Sequence, residues 1–200
     1  MSTIITQQYR TLEVSKSEIF RYAGAPMPDV DTRALLEECL AELGGRLSYK
    51  VCYRELDVKI DGTCVDFGSF KANSAALAKN LSGCKKVIVF AATIGVEIDR
   101  LISRYARISP RKALMMQAVG TERIEALCDR FFEDLKTEYG RIKPRFSPGY
   151  ADLSLNTQRY IFSLLDCPRR IGIFLNQSLL MSPSKSVTAF VGIVDKGVSV

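Results

Sequence analysis

Lys85-Lys86-Val87-Ile88-Val89-Phe90-Ala91-Ala92 is the stretch that decides the fold. Residues 87–92 are apolar without interruption, and β-branched side chains crowd their start. A strand covered on both faces reads this way. Working outward, Gly83 closes a short helix predicted over residues 73–81. Residues 93–95 form a turn, and a helix follows over residues 96–105, with Ile98, Leu101, Ile102 and Tyr105 at helical spacing. The longest helix is predicted over residues 110–139. Pro110 suits its first turn. Ile124, Leu127, Cys128, Phe131 and Leu135 form its apolar stripe, and Gly140 and Pro144 end it.

Toward the N-terminus, residues 17–23 are a short amphipathic stretch ending at Gly24, broken by Pro26 and Pro28. Asp31 or Thr32 is expected to cap a helix over residues 33–43, with Leu35, Leu36, Cys39, Leu40 and Leu43 on one face and Gly44-Gly45 as its stop. Residues 49–60 alternate loosely. Asp61-Gly62 and residues 63–67 follow, which predicts a hairpin with a tight turn. Toward the C-terminus, a helix is expected over residues 155–165 and strands over 171–175 and 187–194. Ser182-Pro183-Ser184-Lys185 forms the loop between the strands. These elements imply an α+β fold: a mixed or antiparallel sheet with packed helices, in one domain over residues 1–200.

Bulk properties narrow the function. The chain has 200 residues, 47% of them apolar, and a formal charge of +6. Its basic residues pair locally, as in Lys85-Lys86 and Arg169-Arg170, so the surface is mixed and no nucleic-acid footprint is indicated. The first ten residues lack a signal-type apolar core, and no apolar run is long enough to span a bilayer. A cytoplasmic location is therefore expected. No two of the six cysteines lie within eleven residues of each other, which argues for free thiols. With no histidine in the chain, Ser-His-Asp and Cys-His catalysis and histidine-ligated zinc or haem are excluded. There is no Gly-x-Gly-x-x-Gly after a strand and no phosphate-binding Gly-x-x-x-x-Gly-Lys.

Two places remain that can carry chemistry. Pro148-Gly149 fits the centre of a type II turn, since proline presets φ and glycine accepts a positive φ. A molecule can approach the backbone closely at Gly149. Tyr150 adds a ring and a hydroxyl, and Arg145 adds a planar fork suited to a carboxylate. The same residues also suit an ordinary turn with a surface arginine and a packing tyrosine. Glu125 falls at the edge of the apolar stripe, where a carboxylate can meet an ammonium or sulfonium; a surface ion pair is the alternative. Glu122, Asp129 and Glu133 are expected further round, toward water.

Arg145-Phe146-Ser147-Pro148-Gly149-Tyr150 resembles the Arg-Pro-Ala-Pro-Gly-Tyr signature of the activation (reactivation) domain of cobalamin-dependent methionine synthase. Ile124-Glu125-Ala126 is similar to that family's glutamate-bearing helix. Ile171-Gly172-Ile173 with Leu175 resembles its Gly-x-x-Leu segment. Met181-Ser182-Pro183-Ser184-Lys185-Ser186-Val187 resembles its Trp-Pro-x-x-Ser-Val loop. The likeness runs over residues 84–200 and is faint over residues 1–83. It implies an S-adenosylmethionine site. Arg145 would hold the methionine carboxylate and Glu125 would face the ammonium or sulfonium. Ser147 and Gly149 would offer backbone groups, and Tyr150 would pack on the ligand.

The resemblance further implies cobalamin on a partner protein, methylated after reduction by a flavodoxin-like or ferredoxin-like donor. Without histidine, this chain has no imidazole for the cobalt. The family's N-terminal ligand-touching aspartate and C-terminal tyrosine have no placed match. A retained fold that docks a corrinoid protein without binding S-adenosylmethionine is the alternative; an independent methyltransferase has no visible acceptor-activating base.

Overall fold

The computed structural model describes residues 3–194. The elements are, in order, β1 (Ile5–Tyr9), α1 (Lys16–Tyr22), α2 (Val30–Leu43), β2 (Tyr49–Asp57), β3 (Lys59–Asp61), β4 (Cys64–Asp66), β5 (Lys71–Asn73) and α3 (Ala75–Asn80). Then come β6 (Cys84–Thr93), α4 (Glu97–Ile108), α5 (Pro110–Tyr139), α6 (Thr157–Leu165), α7 (Cys167–Ile171), β7 (Phe174–Leu175), β8 (Met181–Ser182) and β9 (Ser186–Val194).

β6 contains the apolar run and lies inside a four-stranded antiparallel sheet of order β1-β2-β6-β9. Phe90 stands opposite Tyr53 on β2 and Ala189 on β9. Strand alternation then divides the run between two cores. Ile88, Phe90 and Ala92 face a layer made by α1, α2, α4 and α5. Val87, Val89 and Ala91 face a second layer made by α3, α6, α7 and the small β3-β4-β5 sheet. All six are fully buried, which is why no polar residue interrupts them. β2 and β9, drawn from the two ends of the chain, meet β6 on opposite sides, so both portions share one sheet. Among the described residues, no helix is long and apolar enough to cross a membrane.

Two expectations change, and one strand is unanticipated. The second helix starts earlier than expected: Asp29, not Asp31 or Thr32, is the cap, and its carboxylate accepts the Thr32 N–H at 2.7 Å. Residues 171–175 are not one strand. Pro168 opens α7, Cys167 and Ile171 drop into the second core four residues apart, and Gly172 at φ +73° ends the helix. Only Phe174–Leu175 pairs, with Met181–Ser182. Finally, β1 has little apolar character. It is held by β2 and by polar links to α5, with Gln7 Nε2 and Tyr9 Oη donating to Asp134 at 2.9 and 2.6 Å.

Candidate functional site

The site is built by the way the chain leaves α5. Gly140, at φ +81°, ends the helix, and residues 142–146 then run antiparallel along the outer edge of β9. Lys143 N–H donates to Gly192 at 2.8 Å, and Phe146 and Phe190 exchange bonds at 2.9 Å in both directions. Phe146 is buried in the second core. Its neighbour Arg145 therefore points the other way, back toward α5. There its Nη2 forms an ion pair with Glu125 Oε2. Two residues twenty apart in sequence are joined because helix and returning strand share the β9 edge.

The pair is partly screened from water, with side chains 31% and 35% exposed for Arg145 and Glu125. Burial disfavours the Arg145 charge, but Cys128, Glu125 and Asp129 more than offset that, and the guanidinium is held above its ordinary pKa. Its Nη1 is buried, lies near the Cys128 thiol, and makes no hydrogen bond to an oxygen among the described residues. Cys128, beneath the pair, is pushed up to about 12 by burial, with Glu125 and Asp129 adding to the effect and Arg145 opposing it. It remains a thiol at neutral pH and is no nucleophile. Asp129 is raised, first by desolvation, with Glu125 and Glu133 adding and Arg145 and Lys136 opposing.

The next residues form the turn that the sequence predicted. Tyr150 N–H donates to the Ser147 carbonyl at 3.2 Å, and Gly149 has φ +87°. The Gly149 N–H is already committed to the Leu153 carbonyl at 2.9 Å. A Cβ at Gly149 would lie 3.1 Å from Leu155 Cδ1. Tyr150 is 68% exposed and meets Phe146 edge-on at 5.4 Å. Asp152 ties this loop to the start of α3, accepting from the Ser74 hydroxyl and from the N–H groups of Ala75 and Ala76 at 2.7 and 3.3 Å. Of the five predicted residues, Glu125 and Arg145 are in contact, and Ser147, Gly149 and Tyr150 share the turn that follows.

Glu122 does not face water. It is 4% exposed, beside Arg123 at 3%. Arg123 Nε and Nη2 donate to its carboxylate at 2.5 Å. The remaining guanidinium donors reach the carbonyls of Leu12 (3.0 Å) and Glu13, and Ser15 N–H donates to Glu122 at 2.9 Å. Residues 12–15 cover this side of the helix, a tertiary event that a helical wheel does not register. Between that segment and α5 lies a cleft of about 780 Å³, lined by Tyr9, Leu12, Glu13, Glu122, Glu125 and Asp129 among others. A cleft of similar volume, about 770 Å³, opens near Asp57, Asp66 and Phe67 and holds none of the predicted residues.

The loop at residues 182–185 packs against the same region. Ser184 binds Asp99 through its N–H (2.7 Å) and hydroxyl (2.5 Å). Lys185 Nζ donates to Thr121, one turn before Glu125, at 2.9 Å, and burial lowers its pKa. The sequence marked this loop as a segment but gave no signal for Lys185.

No protein-family model and no curated protein matches the chain. Among solved structures, a crystal structure of the MetH reactivation domain bound to AdoHcy is similar, with a TM-score of 0.72 and 14% identity over 99% of this chain and 80% of that one. The chain therefore has the fold of the MetH reactivation domain: α+β, with antiparallel sheets and packed helices.

Proposed function

We propose that this chain binds S-adenosylmethionine at the Glu125–Arg145 pair and serves as a reactivation module or accessory subunit of a cobalamin-dependent methionine synthase. The observation that carries this reading is the pair itself, in a fold whose solved relative is bound to AdoHcy. A guanidinium fork touching a carboxylate is the complement of an amino-acid head group, which offers a carboxylate and an ammonium. Arg145 takes the ligand carboxylate through the part of the guanidinium that it gives to Glu125 in the resting pair. Glu125 turns to the ammonium.

Opening the resting pair, which is only partly exposed, costs more than breaking a fully exposed surface pair and is offset by the contacts to the ligand. Two ion pairs to the ligand then replace one within the protein. Tyr150, exposed beside the turn, packs on the ligand. Ser147 and Gly149 shape the backbone there, although the Gly149 N–H is taken by Leu153, so its contribution is close approach rather than donation.

Methyl-group chemistry belongs to the sulfonium and to the corrinoid, which a partner protein carries and which supplies the acceptor. This chain's own residues bind and orient the methyl donor. A flavodoxin-like or ferredoxin-like protein is the electron source in this scheme. Calorimetry with S-adenosylmethionine tests the reading: the native chain binds and Arg145→Ala does not. Absence of binding by the native chain at millimolar ligand, or equal binding by both, refutes it.

The closed turn, with the Gly149 N–H committed and Leu155 against its α-carbon, favours one second reading: a docking module for a corrinoid protein that has lost the ligand. Ligand-independent capture of a corrinoid protein supports that alternative.

A further inference from the structure

Three charges meet on one flank of α5. Glu125 and Asp129 are four residues apart, so their Cβ atoms stand about 5–6 Å from each other on the same side of the helix. Both line the cleft beside the N-terminal segment. Arg145 reaches this flank from the β9 edge and pairs with Glu125. It also acts electrostatically on Asp129, although no ion pair within 4.0 Å joins them. Asp129 is exposed at the rim and, among the described residues, makes no hydrogen bond or ion pair of its own. An aspartate without an ion-pair partner among the described residues, one turn from a paired glutamate, is a surplus charge. Of the other charged groups lining the cleft, Glu18 pairs with Arg21, Glu122 with Arg123 and Arg130 with Asp134, and Arg10 and Glu13 are of opposite sign, which leaves one negative charge in excess.

S-Adenosylmethionine carries a carboxylate, an ammonium and a sulfonium, and so has one positive charge in excess. Its demethylated product, S-adenosylhomocysteine, has lost the sulfonium charge and is neutral overall. With Arg145 on the ligand carboxylate and Glu125 on the ammonium, one protein carboxylate and one ligand cation remain. A short aliphatic chain separates the sulfonium from the ammonium, and one helical turn separates Asp129 from Glu125.

We propose that Asp129 is a specificity-determining residue, the carboxylate that answers the sulfonium and makes the site prefer the charged methyl donor over its neutral product. The assignment rests on the S-adenosylmethionine reading above and adds what that reading lacks, a means of releasing product once the methyl group has left. Unit charges about a helical turn apart in a partly exposed site, at an effective dielectric near 20 and screened by salt, alter affinity on the order of tenfold.

The test is calorimetry with S-adenosylmethionine and S-adenosylhomocysteine on the native chain, Asp129→Asn and Glu133→Gln. Glu133, one turn further along and paired with Lys136 at 2.7 Å, reports the general field of the helix. The native chain is expected to prefer S-adenosylmethionine. Asp129→Asn should weaken that ligand about tenfold and leave S-adenosylhomocysteine within about twofold, while Glu133→Gln changes neither. Equal weakening of both ligands by Asp129→Asn, no weakening of either, or the same loss of preference in Glu133→Gln overturns the assignment and leaves the ligand reading standing. A native chain that binds neither ligand overturns both. Because Asp129 makes no hydrogen bond or ion pair among the described residues, its amide variant retains the fold, which circular dichroism verifies.

Discussion

Truncating Arg123 to alanine removes the cation from a buried pair whose side chains are 3% and 5% exposed for Arg123 and Glu122. The Glu122 carboxylate stays behind without its counter-charge, and the Leu12 and Glu13 carbonyls lose their donors. Breaking a buried pair from one side costs about 3–5 kcal/mol. Each stranded carbonyl adds about 1–3 kcal/mol if it stays dry. The adjoining cleft admits water to that segment, so we expect the total to stay near 3–5 kcal/mol. Against the roughly 5–15 kcal/mol that stabilises an ordinary domain, the loss is large.

Replacing both members, as Glu122→Gln with Arg123→Met, removes the stranded charge and should cost clearly less than Arg123→Ala alone. Urea unfolding at neutral pH followed by circular dichroism measures both variants, and hydrogen exchange over residues 12–15 reports the local release. A loss below about 1 kcal/mol for Arg123→Ala, or a double variant no milder than the single one, refutes this account.

Two further outcomes follow from the loop after Arg145. Asp152 has a folded-state pKa held below the ordinary 3.8, first by the Ser74 hydroxyl and then by backbone N–H donors. Its stabilisation is therefore present above 3.8 and lost as pH falls through the lower folded value. Urea midpoints should decline less steeply with acid in Asp152→Asn than in the native chain, and an unchanged acid slope contradicts the tether. Gly149→Ala forces a Cβ into the left-handed region and to 3.1 Å from Leu155. A stability loss of about 1–2 kcal/mol is expected from the backbone alone, with weaker S-adenosylmethionine binding by calorimetry; a neutral substitution contradicts the turn geometry.

Local signals in the sequence located much of the scaffold. Pro110 and Gly140 bracket α5, whose stripe from Ile124 to Leu135 is buried throughout. The unbroken run at residues 87–92 marks the central strand because both its faces are covered. Pro148-Gly149 specifies its own turn. Other features depend on contacts made from afar. The polar β1 is a strand because Asp134 on α5 answers Gln7 and Tyr9. Glu122 is buried because residues 12–15 lie over it. Glu125 could be placed at the edge of a stripe, but its partner could not, since Arg145 arrives only when the chain folds back along β9.

That returning segment has a second effect, on solubility. Without it β9, a nine-residue strand reading Ser-Val-Thr-Ala-Phe-Val-Gly-Ile-Val, would present a bare row of backbone donors and acceptors at the rim of the sheet. Such an edge templates pairing with another molecule. Residues 141–146 occupy it through Val194 to Arg141, Lys143 to Gly192 and the Phe146–Phe190 exchange. Pro144, which has no N–H to donate, and the charged Lys143 make this outer layer a poor template in its turn. The backbone that aims Arg145 at Glu125 thus also guards the sheet against self-association, so lesions that loosen it should surface as aggregation before any loss of ligand is noticed.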